Sequence, residues 1–193
     1  MTKTNIQCPR LDFTNHPSVS AFAIPCEAYI ANRKSEGNCE YGYIATGALL
    51  YDSATPPRIL LIQRASHDSM PDRWEVPGGG CDAEDRSILY SAAREVWEET
   101  GLVISHIGPK TAGEQLFTTR GGKVVCKFHF LVEVERTETG ELDVRIDPDE
   151  HQAFVWATEA EVRAEKVGDL ILNFTTADQL SAVLEGFGLK KQI

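Results

Sequence analysis

The chain has 193 residues, 42% apolar and 25% charged, on the order of one domain with some extra length. Nineteen basic against 29 acidic residues leave a net charge of −10, which disfavours long nucleic acid and anionic membranes as partners, because those are held by Lys and Arg that displace counterions. No apolar run approaches the roughly 20 residues that span a bilayer, no apolar leader precedes Pro25, and the five cysteines form no Cys-x-x-Cys pair, so the expectation is reduced thiols in a cytoplasmic or nuclear compartment.

Residues 1–40 read as an N-terminal extension rich in Asn, Ser, Thr and Pro, a packing arm with one helix over about 26–33. The main domain takes residues 41–193. Tyr43–Leu50 and Arg58–Arg64 read as strands joined by turn chemistry at Pro56-Pro57. A short extended piece over 74–76 ends at Pro77 and three glycines. A helix is predicted over about 85–100, stopped by Gly101, which suits the left-handed position after a helix. Strands follow over about 102–107, 113–119 and 124–135. In the last of these, Val124, Cys126, Phe128 and Phe130 alternate with more polar residues, which predicts one core face. A polar, acidic loop over 137–150 leads to a strand over 153–156, a helix over 159–166 and a closing helix over 176–187. Strands before, between and after a few helices predict an α/β or α+β fold with a mixed sheet.

The chemistry concentrates between Gly78 and Leu102. On a helical wheel Leu89, Ala92, Ala93, Val96 and Thr100 form the core face, while Glu95, Glu98 and Glu99 gather on roughly the opposite side. Two such charges 5 Å apart repel by about 3 kcal/mol at an effective dielectric of 20. Water, Arg94 or a divalent cation must offset that. Hard cations take oxygen ligands, often one or two carboxylates plus substrate phosphates. The glycines Gly78, Gly79 and Gly80 let backbone approach a ligand closely. Taken alone, the acidic helix face would simply be solvated.

It does not stand alone. Gly80, Arg94, Glu95, Val96, Glu98, Glu99, Gly101 and Leu102 occur in the register of the Nudix box, and a random window matches its six fixed positions on the order of once in 10⁷. The chain therefore resembles the Nudix (MutT-like) hydrolases over about 41–166, with box wording most similar to fungal members. The resemblance implies a mixed sheet sandwiched between helices and hydrolysis of a nucleoside diphosphate linked to another group, or of a nucleoside triphosphate, with Mg²⁺ or Mn²⁺. The partner it implies is a small nucleotide or nucleoside diphosphate derivative, and the arm of residues 1–40 is a candidate dimer element. Carried over position by position, the metal ligands are Glu95, Glu98 and Glu99 with the Gly79 carbonyl, and Arg94 orients the glutamates. The general base is Glu95 or a carboxylate of the acidic loop. There Glu150 leads over Asp147 and Asp149, because Glu-His-x-x-x-Val-Trp at 150–156 resembles the family's segment after that loop.

One box position departs: Arg86 stands where the family has its first Glu, and would repel Arg94 unless Glu84 or Asp85 substitutes. The departure motivates an alternative, a Nudix-fold nucleotide-binding module with little turnover. A minor third reading, an isomerase on the same fold, needs a catalytic thiol, for which Cys81 is the nearby candidate. Marks of the ADP-ribose, dinucleoside polyphosphate and NADH hydrolases outside the box are not found, which leaves a generic small nucleotide by elimination. Arg64 either reaches a substrate phosphate or forms a structural ion pair. Trp74 and Phe117 either stack on a base or sit in the core. His129 and His151 read as satisfied structural histidines.

Overall fold

The computed structural model describes residues 9–37 and 39–192. In chain order it contains β1 (Thr14–Asn15), a 3-10 turn (Pro17–Phe22), α1 (Cys26–Ser35), β2 (Tyr43–Leu50), β3 (Arg58–Arg64), β4 (Trp74–Glu75) and α2 (Ile88–Thr100). There follow β5 (Ile104–Lys110), β6 (Gln115–Thr118), β7 (Val124–Val134), β8 (His151–Thr158), α3 (Glu159–Arg163), β9 (Lys166–Val167), β10 (Leu170–Ile171) and α4 (Ala177–Lys190).

A first, mixed sheet runs β1-β5-β7-β2, with β6 also on β7; β2 lies parallel to β7, and β5 and β6 antiparallel to it. A second, antiparallel sheet runs β4-β3-β8. One face of the first sheet, with Ile44, Ala48, Cys126, Phe128 and Phe130, packs in one cluster with Leu89, Ala92, Ala93 and Val96 of α2. Leu49 and Leu131, on the other face, pack with Ile59, Leu61 and Trp74 of the second sheet and Val183 and Phe187 of α4. Helices thus cover the sheets from both sides, as the resemblance implied. Among the described residues no helix is long and apolar enough to cross a membrane.

Several expectations shift. The helix predicted from residue 85 begins at Ile88, because the Ser87 side chain accepts the Tyr90 N–H and caps it there; Gly101 ends it in the left-handed region. The strand predicted over 102–107 moves later, to Ile104–Lys110, and its register breaks near Pro109, a residue with no N–H for the ladder. The polar face of β7 is covered as well: Lys127 and His129 are buried beside their apolar neighbours, so alternation there separates two buried faces rather than core from solvent. The segment before Tyr41 packs Leu11, Val19, Phe22, Tyr29 and Ile30 into the first cluster, with Phe22 edge-on to Phe128 and Phe130.

Candidate active site

The site is built where the glycine loop meets α2. Residues 77–81 run along the free edge of β2: Thr46 N–H donates to the Gly79 carbonyl (2.8 Å), Ala48 N–H to Pro77 (2.8 Å), and Cys81 N–H to Ile44 (2.9 Å). Gly78 has φ +142°, and a Cβ there would fall 2.2 Å from the Thr46 carbonyl oxygen. Its N–H donates to Glu99 Oε2 at 2.6 Å. At Gly79 a Cβ would come 2.6 Å from the Glu95 carboxylate. Glycine here lets backbone lie directly against the two glutamates.

Arg94 organises the outer part of the helix. It grips Asp85 with two bonds of 2.9 Å and also donates to Glu95 (2.9 Å), Glu98 (2.8 Å) and the Gly80 carbonyl (3.1 Å). Burial pushes the Asp85 carboxyl up, but Arg94 outweighs it and the net shift is downward. Asp85 thus braces Arg94 in place of the box's first Glu. Arg86, expected to repel Arg94, is turned away instead: it donates to the Leu11 carbonyl (2.9 Å) and stacks over Tyr90, 4.6 Å from the ring centroid. The reason is the late helix start, which leaves residues 85 and 86 in a loop.

The inner part of the site is a buried carboxylate cluster. Glu75 and Glu99 are both buried, and the His151 ring nitrogen Nε2 lies 3.9 Å and 3.8 Å from them. The acidic loop is pinned to the end of α2, Arg145 N–H donating to the Thr100 carbonyl (2.8 Å) and Asp147 N–H to that of Glu99 (3.2 Å). This carries Glu150 to Glu99 and His151, one ligand atom of each lying within 4.8 Å of the others. Burial pushes Glu95 up to about 7, helped by Glu98 and Glu150 against the pull of Arg94. Burial also raises Glu99 well above the carboxylate range, with Glu75 and Glu95 adding repulsion. Glu75 goes the other way: burial raises it, but His151, Lys127 and Arg64 prevail and hold it ionised.

A model of the NUDIX domain matches residues 43–174. The chain belongs to the NUDIX family. Nudix hydrolases act on pyrophosphate bonds, and this protein is one of them. Among solved structures it is similar to a MutT protein from Methanosarcina mazei, at 23% identity and TM-score 0.56 over 80% of this chain and 99% of that one. It is also similar to an Ap4A hydrolase from C. elegans, solved as a binary complex, at 20% identity and TM-score 0.60 over 79% and 100% of the two chains. A MutT Nudix hydrolase from Burkholderia pseudomallei matches at 19% identity and TM-score 0.54 over 74% and 96%. These likenesses support the fold.

Within the Nudix site the sequence candidates separate. Glu95, Glu99, Gly79 and Glu150 converge, whereas the Glu98 side chain is 45% exposed and held outward by Arg94. The acidic side of α2 is therefore not a solvated face, since the glycine loop and the acidic loop cover Glu99. Arg64 gives one terminal nitrogen to Glu75 and the other to Asp68 (2.6 Å), the structural ion pair weighed above. His151 corrects the reading of a satisfied histidine: both ring nitrogens are buried without a hydrogen-bond partner. His129 does fit that reading, next to Gln179 Oε1 at 3.4 Å and pushed down to about 3 by burial. Trp74 is core. Cys81, raised to about 12 by burial, offers no thiolate for an isomerase.

Glu75 and His151 are the residues that sequence reasoning missed. Glu75 sits in a two-residue strand with no pattern of its own, and His151 was visible only as the neighbour of Glu150. The donor set fits a hard divalent cation. It offers the buried carboxylate of Glu99, the partly buried one of Glu95, which burial raises despite its bond to Arg94, the backbone carbonyl of Gly79, and the unpartnered nitrogens of His151.

Proposed function

We propose that the protein hydrolyses a phosphoanhydride bond in a nucleoside diphosphate linked to another group, or in a nucleoside triphosphate, with the help of Mg²⁺ or Mn²⁺. Glu95 and Glu99 with the Gly79 carbonyl would hold the ion, and Glu98 would add a ligand from the exposed side. When bound, the ion polarises the phosphoryl oxygens and lowers the pKa of water. The observation that carries the reading is the buried Glu99 and the partly buried Glu95, whose charged forms burial disfavours even with Arg94 bonded to Glu95, set beside an exposed carboxylate at the mouth of the site.

The chain's own residues divide the remaining work. Arg94, braced by Asp85, holds Glu95 and Glu98 in fixed rotamers. The Gly78 N–H fixes Glu99. Gly78 and Gly79 let the loop lie against Thr46 and Glu95, Gly80 opens onto free space where substrate phosphates would lie, and Arg64 anchors Glu75. Glu150 takes the proton of the attacking water. It is exposed and carries its carboxylate to the edge of the cluster, whereas Glu95 is bonded to Arg94 and pressed against Gly79. With Asp85 bracing Arg94, the motive for a binding module without turnover falls away.

A panel of nucleoside diphosphate derivatives and triphosphates, incubated with Mg²⁺ or Mn²⁺ and resolved by chromatography, tests the proposal. Turnover that is lost in Glu99→Gln, and falls while nucleotide affinity holds in Glu150→Gln, supports it. Nucleotide binding without turnover across the panel overturns it in favour of the binding module.

A further inference from the structure

His151 lies outside the box, yet the fold fixes it at the heart of the cluster. Its backbone is held twice: it pairs with Arg64 across the second sheet, and its N–H donates to the Asp147 carbonyl at 2.8 Å. The residue is 2% exposed, and among the described residues neither ring nitrogen has a hydrogen-bond partner. Buried polar groups in native proteins are nearly always satisfied, so a bare buried nitrogen marks a place for a water or an ion.

What faces the nitrogen decides between the two. Nε2 lies 3.8 Å from Glu99 Oε1 and 3.9 Å from Glu75 Oε1. Both distances are too long for a hydrogen bond. Both are too short for a bridging water, which holds its partners roughly 4.5 Å apart through two bonds of about 2.8 Å. Two ligand atoms, each about 2.1 Å from one cation, lie up to roughly 4.2 Å apart, and both separations fall inside that limit. The two carboxylates differ in what they have left to give. Glu75 Oε1 is bonded to Arg64. Glu99 divides its oxygens: Oε2 accepts the Gly78 N–H at 2.6 Å, and Oε1 turns to His151. Glu150 closes the third side, ligand atoms of all three residues lying within 4.8 Å of one another.

We propose that His151 is a nitrogen ligand to the cation that Glu99 holds, and that it biases this site from Mg²⁺ towards a later first-row divalent metal such as Co²⁺ or Zn²⁺. Mg²⁺ binds through oxygen and sheds water reluctantly, whereas imidazole suits the later metals. The inference rests on the hydrolase reading above and names the class of cation for that site. Glu150, exposed on the third side, keeps the role of base given there.

Calorimetry of the EDTA-treated full chain with Mg²⁺ and with Co²⁺ tests it. A carboxylate site already prefers Co²⁺ to some degree, so the decisive quantity is the change in preference on substitution. His151→Gln is expected to weaken Co²⁺ by at least roughly tenfold, the loss that follows even from removing a group behind a metal ligand, and to leave Mg²⁺ within a factor of about three. Equal change for both cations, as a purely structural histidine would give, overturns the proposal. Wild type carries a second readout that does not depend on the variant folding. Proton NMR of the Co²⁺-loaded chain should show an exchangeable imidazole N–H shifted far downfield by the bound metal, and its absence overturns the proposal. The two readings fail separately. A wild type with this selectivity and this proton, but no turnover across the nucleotide panel, defeats hydrolysis alone. An active wild type whose His151→Gln variant loses Mg²⁺ and Co²⁺ alike defeats the nitrogen ligand alone.

Discussion

Two arginine centres at the site, Arg94 and Arg64, and the carboxylate cluster near them treat negative charge in opposite ways. Arg94 faces Asp85, Glu95 and Glu98, and Arg64 faces Glu75 and Asp68. At Asp85 and Asp68 the bonded guanidinium beats desolvation, Asp68 falling to about 2, whereas burial raises Glu95 to about 7 despite its bond to Arg94. A few ångströms inward, Glu99 has a backbone N–H and a histidine without a hydrogen bond, and burial wins. The same residue type is thus a structural anion at one place and an incomplete ligand set at another. The difference lies in how burial weighs against the cation that the fold brings within reach.

The largest effect expected from breaking this contrast is at Glu99. Glu99→Gln should lower turnover on the order of 10³-fold, as loss of a group that stabilises charge in the transition state does, while raising the melting temperature in EDTA because a buried charge is removed. A variant that melts below wild type in EDTA would show that Glu99 is already compensated. Next, Asp85→Asn strips Arg94 of its bidentate partner. Breaking a buried pair costs about 3 to 5 kcal/mol, read by urea denaturation. Asp85→Glu should recover part of the loss.

The third prediction concerns pH. Glu95 is lifted from 4.5 to about 7, so between those values the folded chain holds a proton that the unfolded chain releases. Stability without metal should therefore fall as pH rises from about 5 to 8, by on the order of 3 kcal/mol. Glu95→Gln should lessen the slope, leaving the part of the same sign that belongs to Glu99. A wild-type slope of opposite sign would mean that Arg94 dominates burial. The smallest effect is at Arg86, whose bond to Leu11 ties the N-terminal segment to the start of α2. Arg86→Ala should cost about 1 kcal/mol and leave kcat unchanged.

The local parts of the site were legible without a structure. Glu95, Glu98, Glu99 and Arg94 lie within one and a half helical turns, so spacing alone places them together, and Gly101 and the three glycines mark the ends of the segment. The strands β2, β3 and β7 could be read from their apolar runs. The identity of the arginine's brace was open between Glu84 and Asp85, and the fold chooses Asp85 with Ser87 capping the helix just after it.

By itself, then, the sequence determined the helix, its acidic register and the family those residues belong to, because helical geometry is set by near neighbours. Only the tertiary structure decided that Glu75, Glu99, Glu150, His151 and Lys127 share one region. They come from different strands and loops, and their protonation depends on burial, which no residue carries in its own identity. The same holds for Phe117 and Trp74, one exposed beside Lys127 and the other in the core, because sheet pairing and the packing of α4 choose which face of a strand is covered.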